Sequence, residues 1–178
     1  MIGSAFISIL AAISLDTTAT KERSHPAVPG YGAIVAVPEA ATRADRKLDY
    51  RVAFSVTKAA LKSDQVNPSL EKVARSVNLL RSEGVPARQV SIVVAVHGAA
   101  TGSLLTNEAY SRKYGGPNPT VALISSLRAT GVSLHVCGQA LAGQKIERSS
   151  ILPGVLVDLS ALVTLTTLEL KGWAIVTD

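Results

Sequence analysis

The chain of 178 residues has a single cysteine, Cys137. With no second thiol, an internal disulfide and any zinc site built on several thiolates are both excluded. Aromatic side chains are almost as scarce, with two phenylalanines, four tyrosines and one tryptophan. That is too few to form the stacking platform on which single-stranded nucleic acid is held. Lysine and arginine outnumber aspartate and glutamate by 18 to 13, giving a formal charge of +5. They are scattered along the chain rather than gathered into a patch, so the excess reads as solubility, and no nucleic-acid partner is expected. No pair of carboxylates stands out for acid–base work.

Long apolar runs are missing too. The run from Ile2 to Leu15 has roughly fourteen residues, against about 20 needed to span a bilayer, so no membrane span is expected. Its length suits the core of a signal peptide, and Thr17-Thr18-Ala19 offers small residues for cleavage, although no Lys or Arg precedes it. Residues 1–20 are therefore expected to be a removable signal peptide or a peripheral segment. The corresponding location is periplasmic or exported, with the cytoplasm as the alternative.

What the chain does have is 47% apolar residues in a length suited to one domain. Residues 21–49 carry Pro26, Pro29, Gly30, Gly32 and Pro38 among charges, and read as an irregular lead-in with a short extended piece at Ala33 to Val37. From Tyr50 the pattern becomes regular. YRVAFSVTK reads as a strand with Val52, Phe54 and Val56 on one face, and NPSLEKVARSVNLLRSEG as a helix with Pro68 in its first turn and Gly84 at its stop. VSIVVAVHG (90–98) is a continuous apolar run of the kind buried on both faces of a parallel sheet, and PTVALISSLRATG (119–131) is a helix. SLHVCG gives a third strand and VLVDL (155–159) a fourth. SALVTLTTLELKG (160–172) gives a helix capped by Ser160, and WAIVTD a fifth strand. The alternation predicts a three-layer α/β/α sandwich around a mostly parallel five-stranded sheet over residues 50–178.

In such sheets the ligand crevice lies beyond the carboxyl ends of the strands. The sequence places Thr57 and Lys58, His97 and Gly98, Cys137 and Gly138, and Asp158 and Ser160 at those ends. Cys137 precedes a helical turn whose unpaired N–H groups favour a thiolate, and Gly138 has no side chain to shield the sulfur. The thiol is accordingly expected to be accessible. His97 can assist it only if the two meet in space, and Lys58, ahead of Arg112 and Lys113, is a source of positive charge for an anionic sulfur. His135 shares a strand face with Cys137, and its plain reading is a half-buried residue under a helix or at a subunit contact, while that of His97 is a satisfied hydrogen-bonding residue; His25 in the lead-in reads as solvated. HGAATG lacks both the GxGxxG spacing and the phosphate-loop lysine, so no cofactor is expected, and no metal-binding pattern appears.

Four segments, VHGAA, EAYSRKYGGPNP, LRATGVSLHVCGQALA and SALVTLTTLELKGWAIV, together resemble the DsrE/DsrF family. The resemblance implies a DsrE-like sandwich, assembly into homotrimers or hexamers, and sulfur handling in which a cysteine ending the third strand carries persulfide sulfur between a donor and an acceptor protein. Cys137 falls at that position. The apolar residues of VLVDLSALVTLTTL and WAIV exceed what one small domain covers, which also favours a homo-oligomer. Two functions follow: a sulfur carrier or sulfurtransferase-like protein loaded on Cys137, with Gly138, His97, Lys58 and Ser160 in support, or a non-catalytic oligomeric module that binds a small ligand, with flavin a third reading.

Overall fold

A computed structural model describes residues 22–178. The apolar run of residues 2–15, and with it the signal-peptide reading, lies outside them. Five strands, β1 (Tyr50–Val56), β2 (Val90–Val96), β3 (Ser133–Cys137), β4 (Leu156–Asp158) and β5 (Ala174–Thr177), form one sheet in the order β4-β3-β2-β1-β5. Every neighbouring pair is parallel, with Tyr50 opposite Val90, Val93 opposite Ser133 and Val52 opposite Ala174.

Strand order decides where the helices lie. From β1 to β4 the chain advances one strand at a time in a single direction, and right-handed crossovers put every connecting helix on the same face. Those helices are α1 (Pro68–Ser82), α2 (Asn107–Tyr114), α3 (Val121–Ala129) and the short α4 (Gly138–Gly143). After β4 the chain returns across the sheet to pair β5 with β1, so α5 (Ala161–Leu170) covers the opposite face alone. The core is correspondingly lopsided. Phe54, Val56, Ile92, Val94, Val96, Leu134 and Val136 point to the first face and pack with Leu70, Leu123 and Leu127 in one large cluster. Each fully buried Leu there contributes roughly 1.5–3 kcal/mol. The alternate residues point to α5, where the buried cluster is only Ala95, Cys137 and Ala161.

Local chemistry fixes the helix ends. Asn67 accepts from the N–H groups of Ser69 and Leu70 at 2.9 and 3.1 Å, and Pro68 needs no donor partner at the first helical position. Helix α2 falls outside the helices anticipated from apolar spacing. It is short and charged, with only Ala109 and Tyr110 buried, and is started by Thr106 and stopped by Gly115 in the left-handed region at φ 84°. The fourth strand is shorter than VLVDL, and the extended piece at Ala33 to Val37 reduces to a single bridge between Ser24 and Ile34.

The lead-in is irregular but fastened. Val28 is fully buried in the main core, so a boundary drawn at Tyr50 leaves out a core residue. Asn78, buried in the middle of α1, accepts from the N–H groups of Ala27 and Val28 and donates to the carbonyls of Tyr31 and Gly32, each at 2.9 Å. Gly32 sits so close to α1 that a Cβ there would lie 2.2 Å from the Arg75 nitrogen. Among the described residues no helix is long and apolar enough to cross a membrane.

Candidate functional site

Cys137 ends β3 and occupies the cap position of α4, whose first N–H groups have no carbonyl of their own helix to bond. Strand alternation sends its side chain to the α5 face. There it is flanked in one row by two polar neighbours. Asp158 of β4 is its register partner, and His97 follows one residue after the Val96–Val136 pair on β2. The strand ends thus bring His97, Cys137 and Asp158 side by side.

Adjacency is not contact, however. Among the described residues no hydrogen bond joins His97 to Cys137. The His97 Nε2 lies 2.9 Å from Ser55 Oγ, toward β1. Lys58 is further away still, beyond the end of β1, two strand spacings or about 10 Å across the sheet from β3. Its side chain is exposed, and its backbone N–H donates to the Asp178 carboxylate at 2.9 Å. Ser160 caps α5, accepting from the Val163 N–H at 3.1 Å. Arg112 and Lys113 end α2 on the opposite face of the sheet from Cys137, with Lys113 Nζ 5.4 Å from the Tyr114 ring. His25 is half-buried rather than solvated.

The thiol itself is less open than its position implies. Cys137 keeps 8% of its surface, because the first turn of α5 sets Ala161 over it while Ala95 lies beside it on β2. Gly138 also has a different role from leaving the sulfur unshielded. A Cβ on it would stand 2.7 Å from the Asp158 carbonyl oxygen and 3.3 Å from that of Leu159, so glycine is what lets α4 begin against the end of β4.

Two features escaped the sequence reading. The first is a hydrogen-bonded chain on the α5 face: Ser133 Oγ is 2.9 Å from His135 Nε2, and His135 Nδ1 is 2.9 Å from both carboxylate oxygens of Asp158, which also accepts from the Thr164 hydroxyl. The order Ser–His–Asp is that of a nucleophile with its base. Ser133, though, is the first residue of β3, paired with Val93 of β2, and lies at the opposite end of the strand from Cys137 and the strand-end crevice. The chain instead ties β3, β4 and α5 together.

The second is Asp178. Partial burial opposes its charge, but the Lys58 N–H, the Thr57 and Ser69 hydroxyls and the Thr57 N–H all donate to it, and together they hold its carboxyl well below the usual range.

HGAATG forms a buried 3-10 turn over Gly98–Leu104, in which a Cβ on Gly102 would lie 2.6 Å from the Tyr114 hydroxyl, so its glycines serve packing. Among the described residues no cluster of three or more His, Cys, Asp or Glu could hold a metal. Two clefts, of about 640 and 400 Å³, are lined mainly by the lead-in and α1, with residues such as Val35, Leu79 and Pro26, and include none of the residues at the carboxyl ends of the strands.

Comparison with known proteins agrees with this architecture. The protein of unknown function MTH1491 from Methanobacterium thermoautotrophicum superposes with a TM-score of 0.52 at 21% identity, covering 73% of this chain and 100% of its own. The YchN protein from E. coli superposes with a TM-score of 0.51 at 19% identity, covering 72% and 99%. These likenesses show the fold. No curated protein matches the sequence. The DsrE/DsrF-like family model matches residues 48–177, which takes in every strand and helix and the cysteine that ends β3; the chain belongs to the DsrE/DsrF-like family.

Proposed function

We propose that the protein is a sulfur carrier in which Cys137 holds sulfane sulfur as a persulfide. The observation that carries this reading is the placement of the only thiol at the carboxyl end of a central strand, in the cap position of α4. A thiolate is the nucleophile toward sulfane sulfur, and the persulfide formed is itself an anion at neutral pH. His97, beside Cys137 and hydrogen-bonded to Ser55, is a strand-end group able to carry a proton to or from the sulfur, given a turn of its ring. The Lys58 N–H holds the Asp178 carboxylate and Ser160 caps α5, so these contacts serve backbone and helix geometry. Family membership supports sulfur handling as the general setting.

The alternative, a small-ligand module using the strand-end crevice, draws less support, because the two clefts of about 640 and 400 Å³ lie elsewhere. The apolar exterior of α5 supports assembly with further copies of the chain: Leu159, Leu162 and Leu170 are 72%, 76% and 84% exposed.

The decisive experiment is intact mass after incubation with polysulfide. Wild type is expected to gain one sulfur and Cys137→Ser none, with the fold retained because the side chains are nearly the same size and the melting temperature modestly lowered by a hydroxyl placed among Ala95 and Ala161. A wild-type chain that gains no sulfur would refute the carrier reading and leave Cys137 as a packed core residue.

A further inference from the structure

We infer that the cleft between the lead-in and the second half of α1 is a binding site for a single long-chain fatty acid, separate from the strand-end row and independent of the persulfide reading. Two concavities adjoin there, of about 640 and 370 Å³, and share Ile34, Val35, Val37 and Leu79 in their walls. Both fall within the range of roughly 300–1,000 Å³ in which small-molecule sites are found. Helix α1 supplies one apolar wall. The stripe it gives the core includes Leu70, Val73, Ala74 and Val77, and Leu79 falls off that stripe, so 46% of its surface stays open. Val35 and Val37, 37% and 52% exposed, line the same concavities from the lead-in. A single exposed Leu or Val needs no explanation, but three in one cleft mark a surface that apolar matter covers. The walls are also set in place in advance. Asn78 fastens the backbone of Ala27, Val28, Tyr31 and Gly32 to α1, and the Ser24–Ile34 bridge ties the two arms of the lead-in together.

The charge at the cleft selects the head group. Arg23 and Arg75 line the smaller concavity, and Arg75 Nε donates to the Ala33 carbonyl at 3.3 Å, which lays its side chain along the wall. Nearby acids are engaged elsewhere. Glu71, one turn before Arg75, accepts from the Gly32 N–H, and Glu83, the only acid in either lining, holds Arg43 at 2.7 and 2.9 Å. Among the described residues neither Arg23 nor Arg75 takes part in an ion pair. An apolar trough beside two such guanidiniums fits a hydrocarbon tail with one carboxylate, which a guanidinium holds through two parallel hydrogen bonds. An uncharged apolar segment would fill the trough but leave the arginines without a counter-charge.

The test is isothermal titration of the full chain with dodecanoate, below the concentration at which it forms micelles. One molecule per chain is expected to bind, and dodecyltrimethylammonium, with the same tail and the opposite charge, should bind at least about tenfold more weakly. Arg75→Gln should weaken dodecanoate binding by about tenfold and Arg75→Lys by less. Leu79→Asp, at a position open enough for the fold to tolerate it, should abolish binding, and Val37→Asp should repeat that loss from the lead-in wall. Leu162→Lys, on the exposed side of α5, and Cys137→Ser should bind as wild type does. No binding by the wild type, equal binding of the two amphiphiles, or a loss in Leu162→Lys but not in Leu79→Asp or Val37→Asp would each overturn the inference. Recruitment to anionic vesicles without uptake of free dodecanoate would overturn it too. None of these outcomes bears on the sulfur loading of Cys137.

Discussion

Asn78→Ala removes a side chain that serves four backbone groups of the lead-in at once. Two of its four hydrogen bonds, to the Val28 N–H and the Gly32 carbonyl, are buried, and the other two, to the Ala27 N–H and the Tyr31 carbonyl, are partly open. Losing a partner costs about 1–3 kcal/mol for each buried group and less where water can replace it, so the substitution should cost roughly 4 kcal/mol. For a domain of this size a kcal/mol shifts the melting temperature by about 2–4 °C, which places the expected fall near 8–16 °C. Asn78→Asp keeps the acceptor but turns a carboxylate oxygen toward the Tyr31 and Gly32 carbonyls in a buried position, and at neutral pH should be at least as destabilising as Asn78→Ala. Limited trypsin digestion supplies the second readout: cleavage after Arg43, Arg46 and Lys47 should accelerate in Asn78→Ala before the rest of the domain is cut. A fall of less than about 2 °C with an unchanged digestion pattern would refute the reasoning, because the lead-in would then only rest on α1 and add little to stability.

Further outcomes follow from other sites. Asp178→Asn should lower the melting temperature at pH 7; its carboxyl is held well below the ordinary aspartate value of 3.8, so its contribution is present above about pH 4 and is lost as the pH falls toward the folded value, and parallel melts of variant and wild type should converge there. Melts that stayed apart at low pH would place the effect elsewhere. Gly138→Ala forces a Cβ to within 2.7 Å of the Asp158 carbonyl, and urea denaturation should show a loss of about 1–3 kcal/mol. In light scattering the wild type should give a mass several times that of the 18.5 kDa chain, and Leu162→Lys should reduce it to one chain; a wild-type mass near 18.5 kDa at all concentrations would dismiss assembly through α5.

The strands were legible because a sheet covered on both faces demands continuous apolar runs, and VSIVVAVHG and SLHVCG supply them. Helix α1 was legible from its spacing, Pro68 and Gly84. Cys137 could be placed at a strand end, and with it the neighbourhood of His97 and Asp158. Its cover could not be read, because the reversal from β4 to β5 decides which face α5 takes, and helical spacing along SALVTLTTLELKG is apolar all round. The Ser133–His135–Asp158 chain depends on pairing between β3 and β4 that no local pattern encodes. Asn78 did leave a signal: a polar residue beside Val77 and one turn after Ala74 sits on the apolar side of its helix, where a buried amide needs partners from elsewhere in the chain.

The reversal that brings β5 beside β1 also sets a timetable for synthesis. The Thr57–Asp178 hydrogen bond joins positions 121 residues apart, so one flank of β1 waits for almost the entire domain to be translated before its neighbour arrives. During that interval β1 through β4 and their helices can assemble as a four-stranded sheet with two open edges. Until the segment after β4 folds back, Cys137 lies without Ala161 above it, so the cover of the thiol is among the last parts of the domain to form.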